Sequence, residues 1–213
     1  MKRSADYHDY VFRNGKIVGE FDQMYRYSKE VPWHQDKIFD KYYGRIGVEI
    51  INCAFENANI KTVLDVGCGY GYLFSRIKRH GIKFSGFDIA ETAIIKARKL
   101  NPDVTLFVDD FINLRHKEKY DLVICREVLW YVIPKLDSAL FNLNRLTKTG
   151  GYLYIVLSFP KLRTDYIGKK ILPNPEALLT ILNKDYKGIA LNIFQRLNYY
   201  KEGPTFHWLG FKK

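Results

Sequence analysis

The sequence predicts an α/β fold: a mostly parallel, seven-stranded sheet with helices on both faces, ending in a C-terminal antiparallel β-hairpin. Three observations carry this. Strand and helix patterns alternate from Thr62 to Phe159. A glycine turn, Gly67-Cys68-Gly69-Tyr70-Gly71, joins the first of those strands to the first of those helices. Two strand-like runs, Gly188 to Leu197 and Thr205 to Phe211, are separated only by the short turn Asn198 to Pro204. They must pair antiparallel, because a parallel crossover takes about a dozen residues or more.

The elements follow in order. Residues 1–35 are aromatic-rich and irregular and read as a lid or cap preceding the main domain, 36–213. Within the lid, Tyr10 to Val18 predicts a hairpin, because Asn14-Gly15 supplies the positive φ angles of a two-residue turn. From Asp36 to about Asn57, Ile38, Tyr42, Ile46, Ile50 and Ala54 recur every fourth residue and predict an amphipathic helix. Thr62 to Val66 predicts a buried strand, Tyr72 to His80 a helix, and Lys83 to Asp88 a strand. Glu91 to Leu100 predicts a helix with Ala93, Ile94, Ala97 and Leu100 on its inner face. Val104 to Val108 and Asp121 to Cys125 predict strands. A helix from Pro134 to Lys148 follows, with Pro134 in its first turn and Gly150-Gly151 as its stop. Tyr152 to Phe159 predicts a fifth strand, and Pro175 to Leu182 a helix.

The chain of 213 residues, 47% hydrophobic, suffices for one α/β domain with a proper core and is not expected to be disordered. The N-terminus leads into no long apolar stretch, so no leader is expected, and the longest apolar run, Tyr152 to Phe159, is too short to span a bilayer. Cys53, Cys68 and Cys125 are scattered and form no CxxC pair, which suits reduced thiols in the cytoplasm. The five histidines lack metal-ligand spacing, so no metal is expected. The net charge of +11 attracts anions such as phosphorylated metabolites or nucleic acid, or simply marks a lysine-rich solvated surface. No arginine-rich arm is visible.

The strongest motif is Val63-Leu64-Asp65-Val66-Gly67-Cys68-Gly69-Tyr70-Gly71-Tyr72-Leu73. Glycines let backbone approach a ligand closely. The spacing is G-x-G-x-G, not the G-x-G-x-x-G of dinucleotide sites, and Asp65 before the turn would repel pyrophosphate but suits an ammonium group. Asp88 ends the second strand, where a carboxylate can accept from both hydroxyls of a ribose. Ile89 can pack on an adenine face, and a carboxylate in Asp109-Asp110-Phe111 can accept from the adenine amino group. Asp110 has a second reading, as the cap of a short helix at Phe111.

These motifs, with Tyr120-Asp121-Leu122-Val123-Ile124-Cys125-Arg126-Glu127 and Leu146-Thr147-Lys148-Thr149-Gly150-Gly151, resemble the class I S-adenosylmethionine-dependent methyltransferases, whose sheet is Rossmann-like. The likeness covers roughly Thr62 to Phe159, and the terminal hairpin agrees with it. It implies S-adenosylmethionine as cofactor and S-adenosylhomocysteine as product. It also implies that Gly67, Cys68 and Gly69 line the methionine moiety near Asp65 and that Asp88 holds the ribose. Asp110 and the Phe111 amide would hold the adenine, and the Arg126 carbonyl the ammonium. Asp109 departs from the family, which often has glycine there. By a looser likeness to small-molecule enzymes, Trp33 and Gln35 in the lid would hold the cofactor's carboxylate end.

Ligands of open α/β sheets bind beyond the carboxyl ends of the strands. Tyr25, Trp130, Tyr131 and Phe159 are therefore candidates for acceptor binding, and Glu127, His34 and His207 for a general base. Trp33, Trp130 and Tyr131 also read as plain packing residues, Glu127 as a residue that orients Arg126 or the lid, and His207 as a core histidine. The expected activity is methyl transfer to O or N of a small polar molecule. A sugar, nucleotide-sugar or phosphorylated metabolite would suit the charge. The alternatives are an RNA-modifying methyltransferase, against which stands the absence of Asn/Asp-Pro-Pro-Tyr after the fourth strand, and a non-catalytic binding module.

Overall fold

The computed structural model describes residues 6–160, 167–194 and 203–213. Met1 to Ala5 and most of the expected turn from Asn198 lie outside them. The lid begins with the hairpin of β1 (Phe12–Arg13) and β2 (Lys16–Ile17), where Asn14 (φ 49°) and Gly15 (φ 71°) both take the left-handed angles a type I′ turn needs. Helix α1 (Phe21–Tyr27) follows, and then α2 (Tyr42–Asn57) leads into the main sheet.

That sheet has seven strands: β3 (Thr62–Val66), β4 (Lys83–Asp88), β5 (Thr105–Val108), β6 (Tyr120–Arg126), β7 (Thr147–Ser158), β8 (Tyr186–Phe194) and β9 (Thr205–Lys212). Their order is β5-β4-β3-β6-β7-β9-β8. The first five lie parallel, and β9 is antiparallel to both β7 and β8. The last strand of the chain is thus inserted between β7 and β8.

Strict alternation divides the buried strand residues between two cores. Leu64, Val123, Cys125, Leu153, Ile155 and Leu157 face a core closed by α5 (Leu136–Leu146) and α6 (Pro175–Leu182). Val63, Leu122, Ile124, Tyr154 and Val156 face a second core closed by α2, α3 (Phe74–Ile77) and α4 (Glu91–Leu100). A third cluster joins the lid to the sheet: Tyr7, Tyr10, Val11, Met24 and Tyr25 pack with Tyr70, Ala90 and Ala93.

Several expected boundaries move. The helix expected from Asp36 begins only at Tyr42, after a 3-10 turn at Ile38–Asp40. The helix expected over Tyr72 to His80 shrinks to α3, because the glycine turn runs on through Tyr72 and the chain leaves the helix at Lys78 (ψ 135°). Pro134 sits inside a 3-10 segment, Leu129–Lys135, not in the first turn of α5. Gly150-Gly151 does not stop that helix, which ends at Leu146; Gly150 (φ 75°) lies within β7, where the pairing with β6 shifts register. Leu100 is 48% exposed at the end of α4, so it leaves the inner face that Ala93, Ile94 and Ala97 occupy.

Candidate active site

The carboxyl ends of β3, β4 and β6 meet the lid around one cavity of about 610 Å³. Three glycines after β3 take left-handed angles: Gly67 (φ 68°), Gly69 (φ 54°) and Gly71 (φ 75°). A Cβ on Gly67 would lie 2.5 Å from Val128 Cγ2, and one on Gly69 would lie 2.4 Å from Gln35 Oε1, so the closeness of neighbouring elements requires glycine at both.

Asp88 ties this turn to β4. Its Oδ2 accepts from the Gly69 amide at 2.9 Å and its Oδ1 from the Ala90 amide at 2.9 Å. The Ile89 amide also donates to this carboxylate, which keeps lone-pair capacity for a further donor. Asp65 is buried on the other side of the turn, and no hydrogen-bond donor reaches its carboxyl among the described residues. Burial, only partly offset by Arg126, raises its pKa to about 7. Burial also raises Asp88 above the usual carboxylate range. Two buried acids beside a glycine turn make a receptor for positive charge. Ile89, 51% exposed, offers an apolar face next to Asp88.

Asp109 and Asp110 do different work. Asp109 is buried, and its carboxylate accepts from the amides of Asp110 (2.9 Å), Arg115 (3.2 Å) and His116 (2.9 Å), so it shapes the loop that follows β5. That is what replaces the glycine common in the family. Asp110 lines the cavity while its Oδ1 accepts from the Ile112 amide at 2.8 Å and its Oδ2 from Asn113 Nδ2 at 2.7 Å. Despite burial, those hydrogen bonds hold its pKa below the ordinary value. The i to i+2 bond closes a turn, but residues 111–113 form a bend and not the short helix of the alternative reading; the side chain borders the cavity. Phe111 is buried beside it, its carbonyl accepting from Asn142 Nδ2 at 2.8 Å.

The lid closes the site from above. Gln35 Nε2 donates to Tyr25 Oη at 2.9 Å, and Gln35 Oε1 accepts from the Tyr70 amide at 3.2 Å, stitching lid to glycine turn. Trp33 lies within 5.5 Å of Tyr131 and 6.4 Å of Tyr25, centroid to centroid, and lines the cavity. It and His34 hold left-handed φ angles of 53° and 50°. Asp22, absent from the sequence-based expectations, docks α1 onto α4: its Oδ1 accepts from the Thr92 amide at 2.7 Å. No local motif announces a contact that spans seventy residues of sequence.

At the far end of the cavity Glu127 follows β6 with φ 57°, an angle rare for a non-glycine residue. Its Oε2 accepts from the Ser158 amide at 2.9 Å and its Oε1 from Ser158 Oγ at 2.6 Å, and Ser158 Oγ lies 3.3 Å from Thr205 Oγ1. Burial raises the Glu127 pKa, and the Ser158 bonds oppose the shift. The Arg126 guanidinium turns aside to lie 4.8 Å over the Phe39 ring. Trp130 Nε1 donates to the Ser158 carbonyl at 2.7 Å, and Phe159 meets the Trp130 ring edge-on at 5.5 Å.

Of the residues singled out in the sequence, the cavity gathers Tyr25, Trp33, Gln35, Asp65, Gly67, Cys68, Asp88, Ile89, Asp110, Phe111, Arg126, Glu127, Trp130, Tyr131 and Phe159. Gly69 supports the turn from behind. His34 is exposed, 3.8 Å from Glu30, and does not line the cavity. Neither does His207, which is buried with its Nδ1 2.7 Å from Tyr154 Oη; burial and Arg126 lower its pKa to about 4. Sequence reasoning missed Phe39 and Tyr43, whose helical periodicity reads as core packing, and Thr205, which the inserted strand β9 brings in from far along the chain.

The sheet order and the cavity at the carboxyl ends of its strands make a Rossmann-like fold. Residues 64–155, a little under half of the chain, match the family described as “Methyltransferase domain”. A ubiquinone biosynthesis O-methyltransferase of Hydrogenovibrio crunogenus is 28% identical over 162 residues, covering 72% of this chain and 57% of that protein. Nodulation protein S of Azorhizobium caulinodans is 32% identical over 93 residues, covering 42% of this chain and 45% of that one. The chain thus spans little more than half the length of these curated relatives at most. Among solved structures, the N-methyltransferase NodS of Bradyrhizobium japonicum in complex with S-adenosylhomocysteine superposes with TM-score 0.69 at 18% identity, covering 86% of this chain and 93% of that one. Magnesium protoporphyrin IX methyltransferase of Synechocystis with bound S-adenosylmethionine gives TM-score 0.64 at 17% identity over the full length of both chains. Among the described residues no helix is long and apolar enough to cross a membrane.

Proposed function

We propose that this chain is an S-adenosylmethionine-dependent methyltransferase acting on N or O of a small molecule. The observation that carries the reading is the three-glycine turn set between two buried carboxylates, Asp65 and Asp88, at the edge of the cavity. The residues present fit this cofactor. Asp65, a buried acid with no donor of its own among the described residues, suits an ammonium or sulfonium charge. Asp88 keeps lone pairs for ribose hydroxyls, Ile89 presents an apolar face, and Asp110 with Phe111 borders the place for a base. Gln35 retains one amide hydrogen for a carboxylate end. When bound, the cofactor supplies an electrophilic methyl group on sulfur.

The chain's own residues then have three tasks. The lid aromatics Tyr25 and Trp33, with Tyr131 from the segment after β6, exclude water and fix the angle of approach, from which much of the rate can come. Glu127, clamped by Ser158, holds a hydrogen-bond donor of the acceptor beside the reacting position. Trp130 and Phe159 form the wall on which an acceptor body packs. His34 and His207, outside the cavity lining, take no part in this reading. The activity is cytoplasmic in this reading, and nucleic acid is not the substrate: the basic groups do not line the cavity, where Arg126 is the one cation among the described residues.

The test is a thermal-shift comparison. S-adenosylmethionine or S-adenosylhomocysteine raises the melting temperature and NAD does not. Asp88→Ala abolishes the shift. Stabilisation by NAD alone would overturn the proposal.

A further inference from the structure

We propose that the acceptor is an amine carried on an apolar or aromatic body, its nitrogen held at Glu127 with the Ser158 and Thr205 hydroxyls beside it. This names the substrate class of the methyltransferase reading above and rests on it. Three observations support it.

First, the cavity and the molecular surface differ in sign. The chain carries a net charge of +11, yet among the described residues the lining holds five carboxyl side chains, Asp65, Asp88, Asp109, Asp110 and Glu127, against one guanidinium. Asp109 is paired with Arg115 at 3.5 Å and Asp65, Asp88 and Asp110 lie on the cofactor side, so Glu127 is the acid that a phosphorylated acceptor would meet, and like charges at close range repel. An amine meets no such barrier.

Second, Glu127 is built into place. A non-glycine residue at φ 57° carries strain, which persists only where surrounding structure over-determines it. Here Ser158 grips both carboxylate oxygens, at 2.9 and 2.6 Å, and Thr205 lies next to Ser158, so the ends of β6, β7 and β9 converge on one acid. Arg126 lies over the Phe39 ring, where its charge still reaches Glu127 but no hydrogen bond joins the two among the described residues. The acid is left to face the cavity between Trp130, Phe159 and Tyr131. An acidic spot in an aromatic wall recognises a cation or N–H donor attached to an apolar body.

Third, the chemistry fits that placement. In transfer to an amine, the bound ammonium first releases a proton to solvent; the freed nitrogen lone pair then forms the N–C bond, the electrons of the C–S bond leave with sulfur, and the positive charge passes from sulfur to nitrogen. The proton later shed by nitrogen goes to solvent. A fixed carboxylate at the nitrogen stabilises the charge as it arrives. An alcohol would instead have to surrender its proton to a carboxylate far too weak a base to take it.

The experiment is calorimetric titration of the protein saturated with S-adenosylhomocysteine, using three matched probes: 2-phenylethylamine, 2-phenylethanol and phenyl phosphate. The amine should bind about tenfold more tightly than the alcohol, as a charge-assisted hydrogen bond would give, and the phosphate more weakly than both. In Glu127→Gln the amine should fall to the affinity of the alcohol while S-adenosylhomocysteine affinity and melting temperature stay unchanged. A purely structural Glu127 would not move that amine-to-alcohol ratio. Phosphate binding as tightly as the amine, an amine preference that survives in the variant, or no binding of any probe overturns the proposal. If the variant fails to fold, the wild-type ranking decides alone. Absence of heat with S-adenosylhomocysteine itself strikes the methyltransferase reading, not the acceptor class.

Discussion

Asp65 shows what a binding site costs a fold at the scale of one residue. Its carboxyl is buried without a donor among the described residues, and its pKa stands near 7 against an ordinary 3.8. The folded state therefore holds a proton that the unfolded state has lost between those values, and stability contributed by this group falls as pH rises through that window. Asp65→Asn should thus stabilise the ligand-free protein at pH 8, by up to about 4 kcal/mol, with the gain vanishing near pH 4. Urea melts at the two pH values measure it, and equal stability of the two proteins at pH 8 would contradict the assignment. The same variant should lose cofactor affinity, and wild-type affinity should weaken as pH falls below about 7. Asp109 makes the opposite case. Its carboxylate serves three backbone amides, so Asp109→Ala leaves buried donors unpaired and should destabilise by about 2–4 kcal/mol in urea unfolding. The residue was visible in the sequence as a departure from the family. Its role was not, because its partners lie as far on as His116 and share no pattern with it. Glu127 was legible by its position after β6, but its left-handed backbone and its clamp by Ser158 were not.

At the scale of elements, the lid is joined to the domain by a few specific contacts. Asp22 in α1 caps α4 through the Thr92 amide, and Gln35 bridges Tyr25 to the glycine turn. Asp22→Ala should cost about 0.5–2 kcal/mol, the usual value of a lost helix cap. It should also expose the N-terminal segment to limited proteolysis, read by the rate of cleavage within residues 6–35; cleavage at the wild-type rate would show that the lid docks by other means. Gly69→Ala puts a methyl 2.4 Å from Gln35 Oε1 at a left-handed φ, so it should displace Gln35 and weaken cofactor binding more than tenfold in calorimetry, about 1.4 kcal/mol or more. Hydrophobic periodicity located nearly every element, since alternation and the four-residue stripe record burial directly. It misplaced ends where backbone conformation overrides pattern. Gly150-Gly151 carries a helix-stop signature but belongs to a register shift within β7, and the glycine turn delays α3 to Phe74.

For the whole molecule, the parallel sheet and its terminal hairpin were legible, because βα alternation with short connections leaves few topologies and two close strands can only pair antiparallel; the strand order was not. The insertion of β9 between β7 and β8, which delivers Thr205 to the cavity, depends on tertiary packing and has no local signal. Net charge is no guide to the cavity in the same way. The sum of +11 suggests an anionic acceptor, while the cavity lining is acidic among the described residues. A global total says nothing about how charge is distributed in depth. The central claim is that the glycine turn between Asp65 and Asp88 receives a sulfonium nucleoside. Isothermal titration of the purified chain with S-adenosylmethionine tests it most directly. One equivalent should bind with measurable heat in the wild type and none in Asp88→Ala shown by circular dichroism to be folded at the titration temperature; a folded wild-type protein that takes up no S-adenosylmethionine would contradict the account.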